Sequence, residues 1–180
     1  HAAAEAGWTV DLVSGPTGLP EPEHENIIFY PVVTGEEMFH QVDGLFDPCD
    51  VLIMTAAVCD MRPKHYERQK VKKDALEMTV TFEPVVDILG TMAARKQPRQ
   101  TVVGFAAETS KVEQYALEKL ASKNLDYIVA NKVGEPGTGF EADDNTVVLL
   151  GPDGLREPCG PDSKAAIARE LIKSLQAKVS

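Results

Sequence analysis

"DVLIMTAAVCDMRP", residues 50–63, carries the clearest structural signal in this chain. From Val51 to Val58 it forms an almost continuous apolar run, which is typical of a strand covered on both faces in a parallel sheet. One acid, Asp60, stands just after the run. The stretch therefore predicts a buried parallel strand with a carboxylate at its carboxyl end, which is where ligands bind in open α/β sheets.

Strand and helix patterns alternate on both sides of this run. Strand patterns come before it in "WTVDLVSG" (8–15) and "NIIFYPVV" (26–33), and after it in "QTVVGFAAET" (100–109) and "YIVAN" (127–131). Helical periodicity lies between several of these segments. A further segment, "LEMTVTFEP" (76–84), alternates like a strand with one wet face. The alternation predicts an α/β fold with a three-layer, Rossmann-like and largely parallel sheet.

Two helix starts carry capping signals. Thr34 precedes acids and then an apolar stripe, which is typical of a helix amino terminus. Ser110 is followed three residues later by Glu113, which matches the capping-box pattern. Near the carboxyl terminus, turn residues at 152–154 predict a hairpin, and 163–179 predict a final helix.

Length and charge exclude several classes of protein. The 180 residues have the size of one domain, and the net charge of −10 argues against a surface built for nucleic acids or anionic membranes. The three cysteines form no CxxC pair and the four histidines lack ligand spacing, so no structural zinc is expected. Unpaired cysteines favour a reducing, cytoplasmic location. No apolar run reaches the roughly 18 residues that a membrane helix needs.

Positive charge is concentrated directly after the central strand. Six of the eighteen lysine and arginine residues lie between Arg62 and Lys73, where Glu67 is the only acid. A loop with this much uncompensated charge repels itself, and phosphate groups are the obvious anions to offset it. Lys70 and Lys72 lie on one face if the segment is extended. The alternative is a solvated basic loop, or a loop that pairs with acids of the protein surface.

A second pair of cations lies on a predicted helix. Lys119 and Lys123 are four residues apart, so they project from one face, where like charges are unfavourable unless an anion lies between them. A solvated helix face is the alternative. Phe105, in a predicted strand, is either a core residue or a cover for a base. Asp60 could hold a ribose, a metal or a proton, or form an ion pair with Arg62.

Five segments occur in the order seen in one family of enzymes. They are "VSGPTGLP", "AAVCDMRP" followed by "KVKK", "VVGFAAET", "LEKLASKNLDYIVAN" and "GTGFEADDN". Through them residues 7–173 resemble phosphopantothenoylcysteine synthetase, the synthetase half of the bacterial coenzyme A bifunctional protein. The resemblance implies a single nucleotide-binding synthetase domain over 1–180, in which a flap and antiparallel dimerisation strands are added to the Rossmann-like sheet.

The resemblance implies a reaction in two steps. A nucleoside triphosphate, CTP in most bacteria and ATP in eukaryotes, activates the carboxylate of 4′-phosphopantothenate, and pyrophosphate leaves. The amine of cysteine then attacks the acyl-nucleotidylate, which gives an amide and a nucleoside monophosphate. Magnesium assists, and the sequence does not identify its ligands. This chemistry would explain the cations, because the site has to position several phosphates.

The resemblance also implies roles for particular residues. Lys70 and Asp60 are the expected catalytic residues, with Lys70 on a flap and Asp60 in the nucleotide site. Lys119 and Lys123 are expected to hold the triphosphate. Base and ribose are expected to lie against Ala57 and Phe105, and the margin of the site to contain Gly15, Ala56 and Asn131.

Two departures from the family pattern are visible. Cys59 stands where the family usually has alanine. Members also begin with a strand and a loop close to "SNxSSGKxG", and residues 1–8 of this chain resemble only the end of the following helix. We therefore expect a domain that is incomplete at its amino terminus, and weak or no activity from these residues alone. A homodimer with 76–82 in the contact is expected, and a decarboxylase domain could be fused upstream.

Two other functions stay open. A nicotinamide-dependent oxidoreductase would use the same type of sheet, but the chain has no GxGxxG fingerprint, and hydride transfer does not need the "KVKK" cations. A non-catalytic nucleotide-binding module is favoured if the amino-terminal loop is truly absent. Release of pyrophosphate that depends on phosphopantothenate and CTP would distinguish the synthetase from both.

Overall fold

A computed structural model describes residues 1–65, 69–72, 79–133 and 144–179. Its helices and strands follow the predicted alternation along the chain. In chain order they are α1 (Ala2–Glu5), β1 (Val10–Ser14), β2 (Ile27–Pro31), α2 (Gly35–Phe46), β3 (Val51–Met54), β4 (Met61–Pro63), β5 (Phe82–Pro84), α3 (Ile88–Arg95), β6 (Thr101–Glu108), α4 (Val112–Ser122), β7 (Tyr127–Lys132), β8 (Asp144–Leu150), β9 (Arg156–Ser163) and α5 (Lys164–Gln176).

The strands of the described ranges form three sheets. The largest has five strands in the order β3-β6-β7-β8-β9, in which β3, β6 and β7 are parallel and β8 and β9 add an antiparallel edge. β1 and β2 form a parallel pair, and β4 and β5 form an antiparallel pair. The predicted α/β class is confirmed. The predicted hairpin also forms, because a short turn at Pro152–Gly154 joins β8 to β9.

Helices cover both faces of the large sheet and so make three layers. Because side chains alternate along a strand, Val102 and Ala106 of β6 face α2, α3 and α4, whereas Val103 faces α5. Met92 is fully buried in the first interface and Leu175 in the second. Burial on both faces explains why these strands are almost wholly apolar in sequence.

Gly104 lets α3 and the segment before β7 approach β6 closely. A Cβ atom at this position would lie 2.8 Å from Leu125 Cδ1 and 3.0 Å from Leu89 Cδ2. Both distances are shorter than ordinary van der Waals contact, so a larger residue would push these neighbours off the sheet. The glycine therefore fixes how closely α3 packs.

Helix α2 begins as the sequence predicts. Thr34 Oγ1 accepts a hydrogen bond from Glu37 N at 3.1 Å, and Glu37 Oε2 accepts one from Thr34 N at 3.0 Å. This reciprocal pair is a capping box, which satisfies backbone donors that the first turn of a helix leaves free. The predicted start at Thr34 is confirmed.

Helix α4 begins differently from the prediction. Its N-cap is Lys111, in a left-handed conformation with φ of 48°, and its side chain makes no capping hydrogen bond. Glu113, predicted to complete a capping box with Ser110, instead accepts hydrogen bonds from Arg156 at 2.8 and 2.9 Å. The capping-box prediction is wrong because a bidentate guanidinium from β9 competes for this carboxylate.

Several predicted features lie wholly or partly outside the described residues. In the described part of the predicted strand at 76–84, Phe82–Pro84 forms a strand; residues 73–78 are not described. The motif segment 137–145 is described only at its end, and Lys73 of "KVKK" is not described. In the described ranges, no helix is long and apolar enough to cross a membrane.

Candidate active site

A cavity of about 700 Å³ lies between the carboxyl ends of β1 and β3. The segments that follow these two strands line it, so the structure brings Gly15 together with Ala56 and Ala57. The start of α2 and the residues around Arg62 complete its wall. The carboxyl edge of a parallel sheet is the usual place for a ligand in this type of fold, which makes the cavity the candidate site.

The amino terminus of α2 is held tightly against this cavity. A Cβ atom at Gly35 would lie 2.9 Å from Val58 Cγ1, in the loop after β3. Hydrogen bonds from the backbone N–H groups of Val33 and Thr34 lower the pKa of Glu37. This carboxylate therefore belongs to the helix cap and is not available to a ligand.

Arg62 does not form the ion pair with Asp60 that one interpretation of the sequence offered. Its guanidinium contacts Glu36 Oε2 at 3.0 Å and Glu83 Oε1 at 2.8 Å. Asp60 is exposed, and its carboxylate has no ion-pair partner in the part of the chain that the structure describes. Its backbone carbonyl accepts a hydrogen bond from Val85 N at 2.8 Å. Asp60 is thus a carboxylate that a ligand can reach.

The two lysines of α4 meet the amino terminus of α3. Lys123 Nζ lies 2.7 Å from Asp87 Oδ2, and Lys119 Nζ donates to the backbone carbonyl of Phe105 at 3.4 Å. Asp87 also caps α3 by accepting from Gly90 N. Burial raises the pKa of Asp87, but the hydrogen bonds from Lys123 and Gly90 and the charges of both lysines outweigh it and lower the pKa. The lysines form a cluster with defined partners.

The sequence analysis did not single out Asp87, although a local signal for it exists. An Asp directly before the apolar helical run of 88–95 is typical of an N-cap. Its contact with Lys123 joins two helices that are far apart in the sequence, so no local pattern reveals the ion pair.

Phe105 lies in the middle of β6, and Asn131 lies next to the last residue of β7. Phe105 is half-buried and packs against the core on the α5 side. Its backbone carbonyl accepts a hydrogen bond from Lys119 Nζ. Asn131 pairs with Ala107, and its Oδ1 is buried without a hydrogen-bond partner among the described residues. An unsatisfied buried acceptor costs about 1–3 kcal/mol. A ligand that donates a hydrogen bond here would remove that cost.

Lys70 lies in the connection between β4 and β5. It is exposed and is not one of the residues that line the cavity. The structure therefore brings Gly15, Ala56 and Ala57 together at the cavity. The other predicted site residues are not among those that line it: Asp60, Lys70, Phe105, Lys119, Lys123 and Asn131.

The donor groups at this edge suit an anion better than a metal held by protein alone. Within the described ranges, no group of three or more His, Cys, Asp or Glu side chains could hold a metal ion. Two lysines lie near the carboxyl ends of β6 and α4, outside the lining of the cavity. Fold and site together define a Rossmann-like α/β protein with a cavity at the position where such folds bind ligands.

The chain belongs to the family of DNA/pantothenate metabolism flavoprotein C-terminal domains, which matches it over residues 1–179. It is 42% identical over 179 residues to the coenzyme A biosynthesis bifunctional protein CoaBC of Vibrio vulnificus strain YJ016, covering 98% of this chain and 44% of that protein. It is 40% identical over 177 residues to the protein of the same name from Bacillus subtilis strain 168, covering 98% and 43%. The chain thus spans less than half the length of these curated relatives.

A solved structure shows the same fold. The crystal structure of the C-terminal domain of CoaBC superimposes with a TM-score of 0.79 at 34% identity, over 98% of this chain and 78% of that one. The family relationship predicted from the five sequence segments is therefore confirmed.

Proposed function

We propose that this chain joins 4′-phosphopantothenate to cysteine in coenzyme A biosynthesis, as a ligase that works through an acyl-nucleotidylate. One observation carries the proposal: residues of "VSGPTGLP" and of "AAVCDMRP", which are distant in sequence, line a single cavity. The similarity to CoaBC proteins supports it, because their name places them in coenzyme A biosynthesis.

The proposed chemistry needs charge stabilisation more than it needs a protein nucleophile. In the first step, a carboxylate oxygen of phosphopantothenate attacks the α-phosphorus of the triphosphate, and the bond from that phosphorus to pyrophosphate breaks. In the second step, the cysteine amine attacks the acyl carbon, the bond to the nucleotide oxygen breaks, and the nitrogen loses a proton. Cations held at fixed positions stabilise the negative charge on the leaving phosphates.

Lys119 and Lys123 are the proposed contacts of the triphosphate. Their ammonium groups are already directed by the Phe105 carbonyl and by Asp87. A triphosphate carries more negative charge than one carboxylate, so it can compete with Asp87 for Lys123. Charges ordered before the ligand arrives need little reorganisation during the reaction, which is how a fixed electrostatic site accelerates it.

The other predicted residues have supporting roles in this proposal. Asp60 and Lys70 would act at the phosphates, Asp60 from the end of the central strand and Lys70 from the hairpin. Asn131 Oδ1 would accept a hydrogen bond from the ligand, which its lack of a partner within the described residues favours. The remaining contacts are proposed for Gly15, Ala56, Ala57 and Phe105.

We propose CTP as the nucleotide and Mg²⁺ as the metal. CTP is favoured over ATP because the similar CoaBC proteins are bacterial, and bacterial members of the resembled family mostly use CTP. Mg²⁺ is usually held by one or two carboxylates together with substrate phosphates, and exposed Asp60 fits that need. When bound, the ion would neutralise charge on the departing pyrophosphate.

The proposal extends to partners. A homodimer through the β4–β5 region is favoured by the resemblance and by exposed apolar side chains there, such as Phe82. A decarboxylase domain, fused or associated, is favoured because the relatives are named bifunctional proteins. A cytoplasmic location follows from this metabolic role.

Release of pyrophosphate tests the ligase proposal. The natural protein that contains this chain should release pyrophosphate only when phosphopantothenate and CTP are both present. It should form the amide only after cysteine is added. Lys70→Ala should lower turnover about 100-fold at an unchanged melting temperature. Lys173→Ala, at an exposed position of α5, is the control and should be fully active.

The absence of pyrophosphate release with either CTP or ATP would contradict the ligase. Normal turnover by folded Lys70→Ala would leave the ligase standing but remove Lys70 from the reaction. Reduction of a nicotinamide cofactor would favour the oxidoreductase instead.

A further inference from the structure

Arg62 connects two separate elements at the edge of the cavity. Its Nη1 donates to Glu36 Oε2 at 3.0 Å, in the first turn of α2, and its Nε donates to Glu83 Oε1 at 2.8 Å, on β5. One planar guanidinium thus serves two carboxylates at once, a geometry that the single ammonium of lysine does not reproduce.

This bridge lies at the base of the β4–β5 hairpin. Arg62 and Glu83 stand directly opposite each other in the antiparallel ladder, and Arg62 and Glu36 both line the cavity. Two backbone hydrogen bonds extend the ladder, from Val85 N to Asp60 O at 2.8 Å and from Lys64 N to Thr81 O at 2.9 Å. The bridge therefore ties the base of the hairpin to the cavity wall.

The charges of the bridge make it unsuitable for binding phosphate. Two carboxylates outnumber one guanidinium, so the group is negative overall. The side chains of Arg62, Glu36 and Glu83 are 53%, 64% and 34% exposed. Ion pairs open to water contribute little to folding stability. The bridge can still orient the base of the hairpin, because its guanidinium links β4 both to α2 and to β5.

We propose that Arg62 is a positioning residue: by holding the β4–β5 hairpin against the start of α2, it sets where Lys70 lies relative to the cavity. The proposal rests on the proposed function, in which Lys70 acts on the phosphates. Lys70 follows Arg62 by eight residues in the connection that leaves β4, so a displacement of β4 displaces the point from which this connection starts. A shift of a reacting group by about 1 Å can cost about 100-fold in rate.

Arg62→Ala tests this role in the same polypeptide and assay. We expect kcat for pyrophosphate release to fall about tenfold or more, with little change in melting temperature. Arg62→Lys should not restore kcat, because it reaches only one of the two carboxylates. Arg156→Ala is the matched control: Arg156 is 54% exposed, pairs with Glu113 and does not line the cavity, so its loss should leave kcat unchanged.

A double-mutant cycle with Lys70→Ala distinguishes positioning from a general structural effect. If Arg62 acts through Lys70, adding Arg62→Ala to Lys70→Ala should lower kcat by less than about twofold. An equal loss in both backgrounds would overturn the proposal. Wild-type kcat in Arg62→Ala would overturn it as well.

Amide hydrogen exchange tests the placement of the hairpin independently of activity. If the polypeptide releases no pyrophosphate, the proposed function is refuted. Amide hydrogen exchange still decides whether Arg62 places the hairpin. The amides of Val85 and Lys64 should exchange faster in Arg62→Ala than in the wild type, and should be unchanged in Arg156→Ala. Unchanged protection of both amides in Arg62→Ala would overturn the positioning role.

Discussion

The ion pair between Lys123 and Asp87 joins the end of α4 to the start of α3. The two side chains are 28% and 49% exposed, so a ligand can reach both. Asp87 holds the Lys123 ammonium at the start of α3. Lys119 is close enough that its charge also favours the ionised form of Asp87. The single Asp87 carboxylate thus faces two lysine cations, so it does not neutralise both of them.

Replacing Lys123 with alanine should raise the pKa of Asp87. The pKa is now below that of an unfolded Asp, so Asp87 adds stability above the unfolded pKa and loses it as the pH falls through the folded pKa. Without the hydrogen bond and charge of Lys123, the two pKa values should be closer and this acid-sensitive contribution smaller. NMR titration of the Asp87 carboxyl, with urea unfolding at about pH 2–6, measures both quantities.

Lys173→Ala is the control for this titration and should leave the pKa of Asp87 unchanged. An equal pKa in Lys123→Ala and the wild type would show that the ion pair does not influence Asp87 in solution.

At the residue scale, sequence reasoning finds groups more easily than it finds their partners. The spacing of Lys119 and Lys123 predicted that the two cations lie close together, and both act on Asp87, although α4 ends at Ser122 and Lys123 is its C-cap. The partners of Arg62 stand 26 and 21 residues away, and only the fold brings them together. For the same reason, the sequence could mark Asn131 as a strand end but not show that its Oδ1 is buried and unsatisfied.

Two glycines show how an element decides what the same residue does. Gly44 lies in α2, where an added Cβ would meet nothing within 4 Å. Gly104 lies in β6, where the same atom would press against Leu125 and Leu89. In the helix, Gly44 therefore only gives the unfolded backbone extra freedom. In the strand, Gly104 is needed because no larger residue fits.

Alanine at these positions should change stability in opposite directions. Gly44→Ala should raise the free energy of unfolding by about 0.5–1 kcal/mol, because alanine loses less backbone entropy in a helix. Gly104→Ala should lower it by about 1–3 kcal/mol through overpacking. Urea unfolding of the two variants beside the wild type measures both. A change of the same sign in both variants would contradict this explanation.

At the element scale, local sequence signals predict a helix start correctly when no side chain from a distant part of the sequence binds the capping residues. Thr34 and Glu37 form the capping box, and the further hydrogen bond that Glu37 accepts comes from Val33 N at the same helix start. Glu113 carries the same local signal but meets Arg156 from β9, so α4 starts at a different cap. The buried strands were predictable because burial on both faces leaves a continuous apolar run.

On the scale of the whole molecule, large apolar side chains remain exposed around the β4–β5 hairpin. Met61, Val80, Phe82 and Val86 are each between 48% and 57% exposed. Concentrations of exposed apolar surface mark interaction sites more often than chance. The region coincides with the contact proposed for a homodimer.

Phe82→Asp should convert the proposed dimer into a monomer, because a charge would be buried in an apolar contact. Light scattering after size-exclusion chromatography should give twice the chain mass for the wild type and the single mass for the variant. Leu117→Asp, at a residue 46% exposed on α4, is the control and should stay dimeric. A monomeric wild type, or a dimeric Phe82→Asp variant, would refute this contact.

The three-layer plan of the molecule was predictable, but the pairing of its strands was not. Alternating strand and helix patterns indicate helices on both faces of a parallel sheet. The pairing of β3 with β6 skips the β4–β5 hairpin and α3, so no local pattern contains it. The cavity lies between the ends of β1 and β3, which belong to separate sheets, so its residues were expected near one edge but its shape was not.

The packed layer beneath the cavity has a mechanical consequence. Val13 of β1 and Leu52 and Met54 of β3 pack against the same buried cluster, which includes Met38 of α2. Protein interiors are packed as densely as organic crystals and deform little. The floor under β1 and β3 should therefore deform little when a ligand binds, so a ligand has to fit a support whose shape is set when the chain folds.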